Sequence, residues 1–165
     1  MKIRGDIAFI GSLSGVLAGI FGLIWMVCSY IALFYGIPAT LEPIVELLIL
    51  STMFMDGVFL IIYGFVLVYL GFMSSSKSLT TAGIMASLFG AIIVMSSYFL
   101  SLIYEATNLF AFIGALVVTM AFMGISLIFS FLYSSLMIYY FAKMDDTLGL
   151  AGAILRNKEI IPLGN

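Results

Sequence analysis

The chain has 165 residues, of which 64% are hydrophobic and 8% charged, and its net charge is −2 with a mean hydropathy of +1.30. A soluble domain carries about 25% charged residues, so six basic and eight acidic side chains cannot cover a water-facing surface and the main solvent is lipid. No basic patch with interleaved aromatics speaks for nucleic acid, and the absence of histidine excludes His-ligated metals, His-ligated haem and a Ser-His-Asp triad within this chain.

Four apolar runs reach the ~18 or more residues that read as membrane helices. The first covers Ile7 to Tyr35. Lys2 and Arg4 precede it, as in a secretory leader. It is longer than the ~7–15 apolar residues of a leader and lacks a small-residue cleavage site, so it is expected to stay as a span. Its "GSLSGVLAGIFG" places Gly11, Gly15, Gly19 and Gly22 three or four apart on one face, a tandem GxxxG pattern suited to close helix packing. Trp25 and Cys28 read as packing residues, and a lone cysteine allows no intrachain disulfide.

After the short loop "YGIPATLEP" comes the second run, Val45 to Phe72. Pro43 suits a first helical turn, and Glu42 and Glu46 suit the positive end of the helix dipole. Gly57, Gly64 and Gly71 recur every seven residues, which keeps them on one face of a supercoiled pair. Within this run stands Asp56, roughly 18 Å from the helix start at helical rise and near the bilayer midplane. A central aspartate costs about 2.5–3.5 kcal/mol on insertion scales. An intramembrane acid is therefore a functional candidate.

Thr52 lies one turn before Asp56 and Tyr63 two turns after it, on about the same face. Together the three form a candidate intramembrane assembly or ion site. No lysine or arginine lies inside any of the four runs. Three accounts of Asp56 follow: a protonated acid bonded to hydroxyls, a pair with a basic or donor group on another subunit, or a proton or cation site in transit.

"MSSSKS" leads to the third run, Leu79 to Tyr104, with Ala82, Ala86 or Ser87, and Gly90 as its small residues. "EATN" leads to the fourth, Leu109 to Ala142, with Gly114, Ala121 and Gly124. Ser87, Ser97 and Ser101 on the third run form a polar thread with Thr119, Ser126, Ser130 and Tyr133 on the fourth, read as hydrogen bonding between helices. Met53, Met55, Met120 and Met123 read as core filling rather than a Cu(I) site. A tail, 145–165, follows the membrane domain, 1–144. It could lie on the membrane surface, extend the fourth helix or dock on a partner, and its apolar end "IIPLGN" suggests something holds it.

The expected architecture is an all-α, antiparallel four-transmembrane-helix bundle. Lys2, Arg4, Lys77, Lys143, Arg156 and Lys158 all fall on one side, which places both termini in the cytoplasm by the positive-inside rule. No catalytic, cofactor or metal-binding motif is present. The expected role is a non-catalytic subunit, scaffolding or sealing a larger energy-converting or translocating complex in a prokaryotic cell membrane. Its partners would be the lipid bilayer and other membrane subunits. The alternative is a small homo-oligomeric channel or a proton- or cation-coupled carrier using Asp56.

Overall fold

A computed structural model describes residues 5–158, with most side chains described as far as Tyr140. The expectations for Lys2, Arg4, the tail side chains and the final "EIIPLGN" lie outside the described residues. Four helices make up the fold: α1 (Gly5–Tyr35), α2 (Glu42–Met73), α3 (Lys77–Tyr104) and α4 (Leu109–Lys158). Each is long and apolar enough to cross a membrane, with mean hydropathies of 2.2, 2.1, 2.0 and 2.4 over the spans. A helix can do so because every backbone polar group is satisfied within the segment.

The first three helices start two or three residues before the apolar runs, because polar residues complete their first turns. α4 continues past Ala142 to Lys158, so helix covers much of the expected tail. No proline interrupts the chain between Pro43 and Pro162, and proline is the strongest helix breaker.

The turns are built from their own residues. Gly36 takes a φ of 71°, where a Cβ would be strained, and ends α1. The Pro38 carbonyl then accepts the N–H groups of Leu41 at 2.8 Å and Glu42 at 3.1 Å, and Pro43 sits in the first turn of α2. Ser76 caps α3 by accepting from the Leu79 N–H at 3.4 Å. Asn108 caps α4 by accepting from the Ala111 N–H at 2.8 Å.

Successive helices run antiparallel and pack in chain order: α1 on α2, α2 on α3, α3 on α4. No other pair of helices meets backbone to backbone among the described residues. The centre of the molecule is the α2/α3 pair, with Ile49, Met53 and Leu67 buried on one helix and Leu79, Ala82, Ala86 and Ile93 on the other. Their backbones nearly touch. A Cβ added to Gly57 would lie 2.7 Å from the Gly90 carbonyl oxygen, and one on Gly90 would lie 2.5 Å from that of Gly57. Gly64 and Gly83 are related in the same reciprocal way, at 2.6 Å each. At the end of the pair nearest the turn between α2 and α3, a Cβ on Gly71 would collide with Thr80.

α1 and α4 are less embraced. Within the most apolar stretch of each helix, only 6% of the residues are buried in α1 and 11% in α4, against 33% in α2 and 28% in α3. α4 is joined to α3 by the stacked rings of Phe99 and Phe122, 5.4 Å apart. α1 is joined to α2 by the stacked rings of Phe21 and Phe59, 5.7 Å apart, and by Val66 and Tyr63 against Gly11 and Gly15. The bundle is therefore open between its first and last helices.

Candidate functional site

Asp56 lies in that opening. It is the fifteenth residue of α2, about 21 Å from the start of the helix at 1.5 Å per residue. Only 6% of its surface is exposed. Gly22 of α1 makes room for it: a Cβ there would sit 3.2 Å from the Asp56 Oδ2. One turn further along α1, Trp25 donates its indole N–H to the same Oδ2 at 3.1 Å. The contact pins α1 to α2 well inside both helices.

Trp25, which reads in the sequence as a packing residue, supplies the hydrogen bond to the acid. A buried indole N–H needs an acceptor, and in a span this apolar acceptors are scarce. Two residues with matching needs stand at similar depth on either side of one short loop. That signal is present in the sequence.

Thr52 does not join the site. Its hydroxyl donates to the Leu48 carbonyl at 2.6 Å and to that of Ile49 at 3.2 Å, so it is occupied within its own helix. Tyr63 does join it. Its ring lies 3.2 Å from the position a Gly15 Cβ would take and meets the Tyr133 ring of α4 edge-on at 6.3 Å. This ring pair spans from α2 to α4, whose backbones do not meet.

The walls enclose a groove of about 590 Å³. α1 lines it from Ser12 to Met26, including Gly15, Gly19 and Gly22. Asp56, Leu60 and Tyr63 form its floor, one turn apart on a single face of α2, while Phe89 of α3 and Tyr133 of α4 close the far side. The groove is mostly apolar, and Asp56 is its acid. Gly19, part of the glycine stripe on α1, meets nothing within 4 Å where a Cβ would be.

The polar thread resolves differently from expectation. Ser97 donates to Val94, Ser101 to Tyr98, Thr119 to Ala115 and Ser126 to Met123, all carbonyls of their own helices at 2.7–2.8 Å. A carbonyl three or four residues back is always within reach, whereas a partner across a helix interface has to be positioned. A side-chain bond that does cross between helices is that of Trp25 to Asp56. Two members depart from the pattern: Tyr133 hydrogen-bonds Tyr63 across to α2, and the Ser87 hydroxyl faces Gly64, is buried and has no hydrogen-bond partner.

Among the described residues no group of three or more Cys, Asp or Glu side chains comes together to hold a metal. The core-filling reading of the methionines holds for Met53, which is buried, but not for Met55 and Met120, which are exposed. The arrangement offers one carboxylate held by one neutral donor at the foot of an apolar groove. Compared with protein-family models, with curated proteins and with solved structures, the chain matches none.

Proposed function

We propose that this protein is a non-catalytic integral membrane subunit that scaffolds or seals a larger membrane complex, with both termini in the cytoplasm of a prokaryotic cell. One observation carries the reading: the bundle is open between α1 and α4, and its buried acid stands in the opening. Trp25 satisfies one lone pair of that acid but brings no positive charge. On the side opposite the basic residues only two short loops join the helices, with Glu42, Glu46 and Glu105 beside them, too little chain for catalysis or ligand capture there. Intramembrane acids face protein or water and pair with bases or mark ion pathways.

Purification from native membranes in mild detergent tests the reading. Stoichiometric membrane partners are expected, and Asp56→Asn should loosen them while liposomes holding the chain alone stay tight to protons and cations. A second reading is favoured by Tyr63 and Tyr133, which share the groove with Asp56. It is a proton- or cation-coupled carrier. That reading requires a flux through liposomes containing only this chain, and Asp56→Asn should abolish it. A tight liposome with the wild-type chain ends it.

A further inference from the structure

We propose that the groove between α1 and α4 receives a transmembrane helix of another subunit, carrying a lysine or arginine near mid-span that pairs with Asp56. The inference rests on the assembly reading and names the chemistry of the partner.

Charge is the first argument. The Trp25 N–H occupies Oδ2 at 3.1 Å, and it is a neutral donor. An ionised carboxylate in hydrocarbon is costly unless a cation compensates it, so a cation supplied to Asp56 there would be held strongly. This chain cannot provide one at that depth. Lys77 opens α3, and Lys143, Arg156 and Lys158 come after the Leu109–Ile138 span. A second copy of the chain lacks mid-span bases in the same way, so self-association leaves Asp56 as it was.

Shape is the second argument. The α1 wall of the groove extends from Ser12 to Met26, about 21 Å at helical rise, which is most of a ~30 Å hydrocarbon core. Its 590 Å³ would admit several side chains of an apposed helix, far more than a lone ion needs. Gly15, Gly19 and Gly22 line that wall, and the space beside Gly19 is empty. Small residues permit close helix approach, which is what drives association where lipid gives no hydrophobic incentive. A base on the incoming helix would reach Asp56 through this groove.

Two synthetic peptides test this in bilayers: a tryptophan-free, leucine-rich membrane helix with one central lysine, and its twin with leucine there. Both carry a dansyl label. Trp25, the single tryptophan of the chain, is the energy donor and sits at the site itself. The lysine peptide is expected to associate about tenfold more tightly than its twin, and Asp56→Asn should bring the two to near equality. Gly19→Ile should weaken both by filling the groove. Equal binding of the two peptides to the wild-type chain overturns the proposal, and so does a lysine preference that survives Asp56→Asn. The wild-type comparison needs no variant to fold. If native membranes yield the chain without partners while the lysine peptide still binds selectively, the assembly reading fails and the site stands. Stoichiometric partners with no lysine preference would instead uphold the assembly reading and overturn the basic helix in the groove.

Discussion

The two glycine-lined seams of this molecule behave differently. On α1 the glycines recur every three or four residues, and the side chains of α2 fill the space: Val66 at Gly11, Tyr63 at Gly15, Asp56 at Gly22. On α2 and α3 they recur every seven, and backbone faces backbone: Gly57 against Gly90, Gly64 against Gly83. A side chain can rotate away from an added methyl group, but a helix backbone cannot. The denser motif therefore marks the looser seam. Spacing alone tells which face is small. What stands opposite decides whether smallness is required.

The sharpest way to break the comparison is to add bulk where backbones meet. Gly64→Val would drive a branched side chain into the Gly83 carbonyl and Ser87. Overpacking of this kind typically costs 1–3 kcal/mol, and here the cost should be about 3 kcal/mol or more because neither wall can move. Unfolding of the purified chain in mixed micelles with rising SDS measures it. The same change at Gly11, against the Val66 side chain, should cost clearly less. Equal losses at the two positions would remove the distinction between the seams.

Next in size is the polar tie of the looser seam. Trp25→Phe keeps most of the ring but deletes the donor to Asp56, and should cost about 1–2 kcal/mol in the same assay. Asp56→Asn keeps a carbonyl oxygen to accept the indole N–H, so the isolated chain should lose less from it than from Trp25→Phe. A larger loss from Asp56→Asn would mean that the charge itself, and not the hydrogen bond, holds α1 in place.

Much of the fold was legible because the bilayer leaves a chain few options. Four uninterrupted apolar runs with short polar loops can only be four antiparallel helices, and Pro43 marks a start that the structure keeps, while the caps Ser76 and Asn108 emerge from the structure itself. The site was half legible. Asp56 announces itself by its cost in lipid, and Tyr63 shares its face. Trp25 was harder to see, because an indole in an apolar run reads as bulk until its N–H is counted. Thr52 misled because proximity along a helix says nothing about where a hydroxyl bonds when its own i−4 carbonyl is free. Gly83 escaped notice beside the larger choice of alanines around it. Yet it stands seven residues before Gly90, the same interval as Gly57 to Gly64. The opening between α1 and α4 has no sequence signature, since an exposed apolar face looks the same whether it meets lipid or protein.

Ser87 offers a smaller effect with the reverse sign. Its hydroxyl is buried beside Gly64 without a partner. An unpaired buried hydroxyl carries a desolvation penalty. Ser87→Ala should therefore leave the chain as stable as before or raise stability by up to about 1 kcal/mol. A clear loss would show that the hydroxyl finds a partner in the folded protein, and the α2/α3 seam would then hold by more than close contact.

The smallest effect belongs to Gly19→Ala. Nothing lies within 4 Å of the position its methyl group would occupy, so the isolated chain meets no steric cost. Alanine is the better helix former by about 0.5–1 kcal/mol in water, chiefly because glycine loses more backbone freedom on folding. Inside a membrane much of that difference is already settled before the helices pack, so a gain of about 0.5 kcal/mol or less is expected. The informative measurement is the same substitution in the native assembly. If a partner helix packs on α1 there, the methyl group that is harmless in the isolated chain will push the two backbones apart and reduce recovery of the complex. A position that is indifferent alone and sensitive in company would mark the open seam as an unfinished interface, whereas indifference in both settings would make it a face turned to lipid.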